Sequence, residues 1–127
     1  MLDVAVAIIQ QGDAILLTQR QSHQSFAHLW EFPGGKIELA ESPQAAIVRE
    51  CEEELAITPT IVEPFMQVWY QYPQSAVLLH VFTITAYRGK AEGREGQSMR
   101  WQSRHNICHQ QMLPANRAII AALHSAG

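Results

Sequence analysis

The most constraining stretch of the chain is residues 35–57, where a glycine, a helix start and a row of glutamates stand at set spacings. Ser42-Pro43 marks the helix start: the serine oxygen caps, and proline fits the first helical position, where its missing N–H costs nothing. The spacing carries the helix to about Leu55, with Val48, Cys51 and Leu55 at i, i+3, i+7 as its core face. Glu50, Glu53 and Glu54 then fall at i, i+3, i+4 on the opposite face. Upstream, Gly35 is followed after five residues by Glu41, and Glu41 after seven by Arg49-Glu50.

That glutamate face is unfavourable on its own. Like charges at i, i+4 destabilise a helix by roughly 0.2–0.5 kcal/mol a pair. Carboxylates in the last turn oppose the helix dipole by roughly 0.3–1 kcal/mol each. A face that merely meets solvent would alternate its signs. Two readings follow: an acidic surface, or a seat for a hard divalent cation. Magnesium takes oxygen ligands and keeps waters and phosphates in its shell. A carboxylate left over from ligation is then placed to take a proton from an activated water.

The rest of the chain reads as a compact α/β domain over residues 1–127, long enough to bury a core without disulfides. Residues 4–9 and 14–18 are apolar strands around the turn signal Gln11-Gly12-Asp13. Residues 19–32 form a polar loop carrying Phe26, Trp30 and Phe32, and Pro33-Gly34-Gly35 marks a tight bend that no regular strand continues through. Pro59 and Pro64 bracket a junction. Residues 65–72 and 77–87 make a hairpin across Pro73-Gln74-Ser75, 88–96 a glycine-rich loop, 98–102 a short strand, and 114–124 a closing amphipathic helix. One central and one terminal helix point to a mixed sheet with helices on both faces, an α/β/α sandwich.

Composition narrows the partners. A net charge of −3 gives no basic field for nucleic acid. No apolar run approaches the roughly 20 residues that span a bilayer, and the N-terminus has no signal-peptide pattern. A cytoplasmic monomer that binds a small molecule is therefore expected. Cys51 and Cys108 are too few for a disulfide framework and read as reduced thiols. The six histidines show no zinc-site spacing and read as surface or loop residues.

Residues 35–57, ending Arg49-Glu50-Cys51-Glu52-Glu53-Glu54-Leu55-Ala56-Ile57, resemble the Nudix box, G-x5-E-x7-R-E-U-x-E-E-x-G-U with U bulky and apolar. The departure is Ala56, where the family usually has glycine; the position ends the helix, where a left-handed backbone favours glycine. Leu29-Trp30-Glu31-Phe32-Pro33-Gly34-Gly35-Lys36-Ile37-Glu38, then Glu92-Gly93-Arg94-Glu95-Gly96-Gln97, then Leu113-Pro114-Ala115-Asn116 resemble blocks of the MutT branch, in the same order. The resemblance covers nearly the whole chain.

That resemblance implies a Nudix-type α/β/α sandwich and a hydrolase needing Mg²⁺, or Mn²⁺ in its place. It cuts a nucleoside triphosphate to monophosphate and pyrophosphate, with 8-oxo-dGTP as the expected substrate. It implies metal ligation by Glu53, Glu54, Glu95 and the carbonyl of Gly34, with Glu50 as general base. Arg49 would orient the neighbouring carboxylates, so that Glu50, Arg49 and Glu53 form the catalytic group, and Glu41 would anchor the loop. Arg20 would meet the phosphates, Glu31, Phe32, Pro33 and Gly34 would line the pocket, and Asn116 would read the base edge. Ser25 stands where the branch has a ligand-contacting histidine, and Gln74-Ser75 where it has an Asp-Arg pair. These changes keep a pyrimidine triphosphate such as CTP open as the alternative substrate. Asn116 also reads as a helix cap, Phe26 and Phe32 as core, and Arg20 as a solvated strand end. A non-catalytic nucleotide-binding module would usually have lost a box carboxylate, and Glu50, Glu53 and Glu54 are all present.

Overall fold

The computed structural model describes residues 1–125; residues 126–127 of the expected domain lie outside the described residues. Strands β1 (Leu2–Gln11) and β2 (Ala14–Gln19) form the first hairpin, with Gly12 at φ +60° in its turn. Then come β3 (Trp30–Glu31), β4 (Gly34–Lys36), helix α1 (Pro43–Leu55), β5 (Thr58–Gln71), β6 (Ala76–Arg88), β7 (Met99–Ser103) and helix α2 (Arg117–Ser125). The spatial order is β3-β2-β1-β6-β5, with β4 also paired to β1 and β7 to β2. β1 runs parallel to β6 and antiparallel to β4, so the sheet is mixed.

The apolar run of β1 is buried on both sides because its side chains alternate between two helices. Ala5, Ala7 and Ile9 pack toward Ile47, Cys51 and Leu55 of α1. Val6 and Ile8 pack toward Ile119, Ile120 and Leu123 of α2. The expected sandwich of a mixed sheet between helices is therefore present. No described helix is long and apolar enough to cross a membrane.

Local expectations fail where tertiary contacts outweigh local pattern. Residues 33–35 do not only bend: Gly34 and Gly35 continue into β4, pairing with Val6 and Ala5. A Cβ on Gly34 would collide with the Ala5 carbonyl, so the two strands approach only because glycine lacks one. Within the expected loop 19–32, Trp30-Glu31 pairs with Gln19 and Thr18 as β3. Pro59 and Pro64 lie inside β5, not at a junction; β5 is an edge strand, where proline's missing donor is tolerated, and its register shifts beside both. On α1 the buried face is Ala46, Ile47, Cys51 and Leu55, with Val48 only half-buried. The closing helix begins as a 3-10 turn over Pro114–Asn116 before α2 starts. His80 sits on β6, hydrogen-bonded to Asp3 and Gln67, and not in a loop. Cys51 is buried and Cys108 exposed, both as free thiols.

Candidate active site

α1 begins as its sequence dictates. Ser42 is extended, its Oγ accepts from Ala45 N–H at 3.1 Å, and Pro43 opens the first turn. The helix ends at Ala56, in the left-handed region at φ +60°. Its carboxylates then divide. Glu50, 14% exposed, turns inward against Gly35 of β4, and Glu54 is half-buried. Glu53 is 57% exposed and meets Arg49 at 3.3 Å. Glu50 fits because the neighbouring strand has no side chain there: a Cβ on Gly35 would fall on the Glu50 carboxyl group.

Arg49 gathers this end of the molecule. Its Nε and Nη2 donate to the two Glu41 oxygens at 2.7 and 2.9 Å, and Nη2 also donates to the Lys36 carbonyl. Nη1 donates to Glu50 at 2.9 Å and to Glu53 at 3.3 Å. Glu41 in turn accepts from Glu38 N–H at 3.0 Å. The Arg49 guanidinium and that N–H hold the Glu41 carboxyl down at about 2. Hydrogen bonding to Glu41, and then to Glu50, raises Arg49 further above its ordinary value.

Glu54 lies at the other extreme. Burial pushes its carboxyl well above the usual range, and hydrogen bonding to Glu50 and the charges of Glu50, Glu95 and Glu31 push it further. Burial, and then the charges of Glu54, Glu50 and Glu52, push the Cys51 thiol up to about 12, which keeps it an unreactive core group. Among the described residues, no three His, Cys, Asp or Glu side chains enclose an ion position by themselves. Magnesium does not require such a cage: it is commonly held by one or two carboxylates together with water and substrate phosphate. A half-buried carboxyl crowded by three others, with Arg49 committed to Glu41, is a donor set short of positive charge. A divalent ion fits that deficit.

A cavity of about 790 Å³ opens beside this cluster. Arg20, Ser25, Glu31, Phe32, Gly34, Glu54, Glu95 and Asn116 all line it. Of the other expected site residues, Pro33 is buried behind the wall, its carbonyl accepting from Ala7 N–H. Arg49, Glu50 and Glu53 stand behind or beside the acidic end, outside the lining. Arg20 is occupied: it donates to the Ser25 carbonyl at 2.6 Å, to the Ser25 hydroxyl at 3.3 Å, and to Glu31 at 3.2 Å. Burial raises Glu31, against the opposing charge and hydrogen bond of Arg20.

Asn116 is 3% exposed, and its Oδ1 accepts from Phe32 N–H at 3.0 Å. It lies within the 3-10 turn and is not a side-chain cap of α2. Because a backbone N–H must meet an oxygen, the amide is oriented and Nδ2 remains as a donor on the cavity side. Phe32 is core, as its type favours. Phe26 is 44% exposed, at φ +54°, and its ring sits 5.3 Å from Tyr72 at the cavity. Tyr72, Thr18, Gln21 and Gln97 also line the cavity and were not singled out from sequence. Gln97 stands within the block 92–97, and Tyr72 at a hairpin end, where a polar aromatic was a usable signal.

A model of the NUDIX domain matches residues 1–123. The 8-oxo-dGTP diphosphatase of Escherichia coli (strain K12) is 37% identical over 123 residues, covering 96% of this chain and 95% of that protein. The CTP pyrophosphohydrolase of the same strain is 34% identical over 122 residues, covering 96% and 90%. Among solved structures, a MutT from work on Aliivibrio salmonicida and Vibrio cholerae superposes with a TM-score of 0.83 at 28% identity, over 99% of this chain and 98% of that one.

Proposed function

The chain belongs to the NUDIX family, and on that premise we propose that it hydrolyses 8-oxo-dGTP to 8-oxo-dGMP and pyrophosphate. One observation carries the reading: the Glu54 and Glu95 carboxylates and the Asn116 amide line a single cavity. The first suits a metal-bound triphosphate, the second a purine edge. The family is one of hydrolases that act on nucleotides with a divalent metal; magnesium is our assignment, with manganese able to replace it.

Glu53, Glu54, Glu95 and the Gly34 carbonyl would hold the ion. When bound, it neutralises charge on the triphosphate and acidifies a water. Glu50, fixed at 2.9 Å by Arg49 and seated against Gly35, takes the proton from the attacking water. Arg49 keeps Glu50 and Glu53 apart and oriented while Glu41 keeps Arg49 in place. Glu31, Phe32 and Pro33 shape the pocket wall. Ser25 fixes Arg20 beside Glu31, and Arg20 meets phosphate oxygen on releasing one of these partners. Asn116 Nδ2 donates to the base edge. The reading treats residues 1–127 as one domain, monomeric and cytoplasmic, acting on free nucleotides and not on nucleic acid.

The CTP pyrophosphohydrolase relative, with Ser25 and Gln74-Ser75 replacing the expected side chains, supports pyrimidine triphosphates as the second reading. The test is pyrophosphate release from 8-oxo-dGTP, dGTP and CTP, with Mg²⁺ and with a chelator. The oxidised purine is expected to give the highest kcat/KM, and activity to vanish on chelation. Equal kcat/KM for dGTP and 8-oxo-dGTP ends the oxidised-purine reading.

A further inference from the structure

The end of α1 leaves carbonyls without helical partners, and the loop after β6 supplies them. Arg94 N–H donates to the Glu54 carbonyl and Glu92 N–H to the Leu55 carbonyl, both at 3.0 Å. Gln97 ties the same end again. Its Nε2 donates to the Glu54 carbonyl at 3.2 Å, and its Oε1 accepts from Glu95 N–H at 2.9 Å. One side-chain amide therefore links the backbones of two carboxylate residues that face the same cavity. The loop is folded closely around Gln97, since a Cβ on Gly93 would collide with the Gln97 backbone carbonyl.

Glu95 is exposed and lines the cavity together with Glu54. Apart from Gln97, Glu95 is held by Gln21 Nε2, which donates to its carbonyl at 3.0 Å. We propose that Gln97 is a positioning residue: its amide fixes the Glu95 carboxylate relative to Glu54 in readiness for the divalent ion. The inference rests on reading Glu54 and Glu95 as ligands.

The test is Mn²⁺ binding to nucleotide-free protein, followed by the electron paramagnetic resonance signal of the free ion, for wild type, Gln97→Met, Glu95→Gln and the double variant. Methionine keeps the length of the side chain and removes both hydrogen bonds. Gln97→Met is expected to raise the Mn²⁺ dissociation constant about 10-fold, as loss of a partner that orients a metal ligand does. Its kcat should recover at saturating Mn²⁺ and its melting temperature should be unchanged. In the Glu95→Gln background Gln97→Met should add nothing, because Gln97 acts through Glu95. An unchanged dissociation constant in Gln97→Met, or a full additional loss in the double variant, overturns the proposal. If Glu95→Gln itself leaves Mn²⁺ binding unchanged, the ligand reading fails and this inference falls with it. If Glu95→Gln weakens binding and Gln97→Met does not, only the role of Gln97 is lost. Should Gln97→Met not fold, Gln97→Ala goes through the same cycle.

Discussion

Ala56 holds φ +60° and ψ +26° at the end of α1, a backbone that glycine adopts freely and alanine does not. Its N–H donates to the Cys51 carbonyl, so the helix has kept its left-handed stop without the residue that makes the stop easy. Ala56→Gly should therefore stabilise the fold by about 1 kcal/mol, net of the greater freedom glycine gives the unfolded chain. For a chain of this size that is roughly 3–5 °C in Tm. No rise in a melting experiment would mean that the strain is relieved elsewhere. Asn116 poses a different problem, because its two amide atoms do different jobs. Oδ1 holds Phe32 N–H, so Asn116→Ala would orphan a buried donor at about 1–3 kcal/mol and confuse stability with recognition. Asn116→Asp keeps the acceptor and replaces only the donor. It should fold, and kcat/KM for 8-oxo-dGTP relative to dGTP should fall at least about 10-fold. Unchanged selectivity would return Asn116 to a purely structural role.

Between β4 and α1, Arg49 and Glu41 do the fastening, and their pairing is pH-dependent in a definite direction. The Glu41 carboxyl is held at about 2, below its ordinary 4.5, so the folded state favours the ionised form. Its contribution to stability is fully present above pH 4.5 and is lost as pH falls toward 2. Melting curves of wild type and Glu41→Gln should differ in slope across that window, the wild type losing Tm more steeply on acidification. Parallel curves would show that Glu41 titrates normally. The family resemblance implied that Arg49 orients its neighbouring carboxylates and that Glu41 anchors the loop; the pairing of the two comes from the structure. What was not readable arose from contacts far apart in sequence. Gly34 and Gly35 look like a bend locally; they form β4 because Ala5 and Glu50 need the space a Cβ would fill. Ile47 displaces Val48 from the core because the sheet meets the Ile47-Cys51-Leu55 line. Pro59 and Pro64 look like strand breakers until β5 is known to be an edge. The separation of Glu53 from Glu50 and Glu54 depends on Arg49 reaching between them, which helical spacing alone does not disclose.

For the molecule as a whole, the two faces of the sheet are unequal partners in the site. The face toward α1 delivers the carboxylates, and the opposite face, toward α2, delivers Asn116 and the wall around Phe32. β1 and β4 run between them, so one cavity receives chemistry from one side and recognition from the other. The two ends should then be separable by mutation. Glu54→Gln removes a half-buried carboxylate at the acidic end and should lower kcat by at least roughly 10²-fold for every nucleotide alike, since all share the triphosphate. Phe26→Ala removes an exposed ring at the other end, where base–aromatic contact is worth roughly 1–3 kcal/mol. Its effect should appear as a KM for 8-oxo-dGTP raised about 10-fold, with kcat and the Mg²⁺ dependence unchanged. The double variant should show the two losses simply combined, as expected of sites with no shared partner. The measurement is steady-state pyrophosphate release from 8-oxo-dGTP, dGTP and CTP across a Mg²⁺ series. If Glu54→Gln alters selectivity among the three, or Phe26→Ala shifts the Mg²⁺ requirement, the cavity does not divide into a phosphate end and a base end. The assignment of Asn116 to the base would then have to be abandoned with that division.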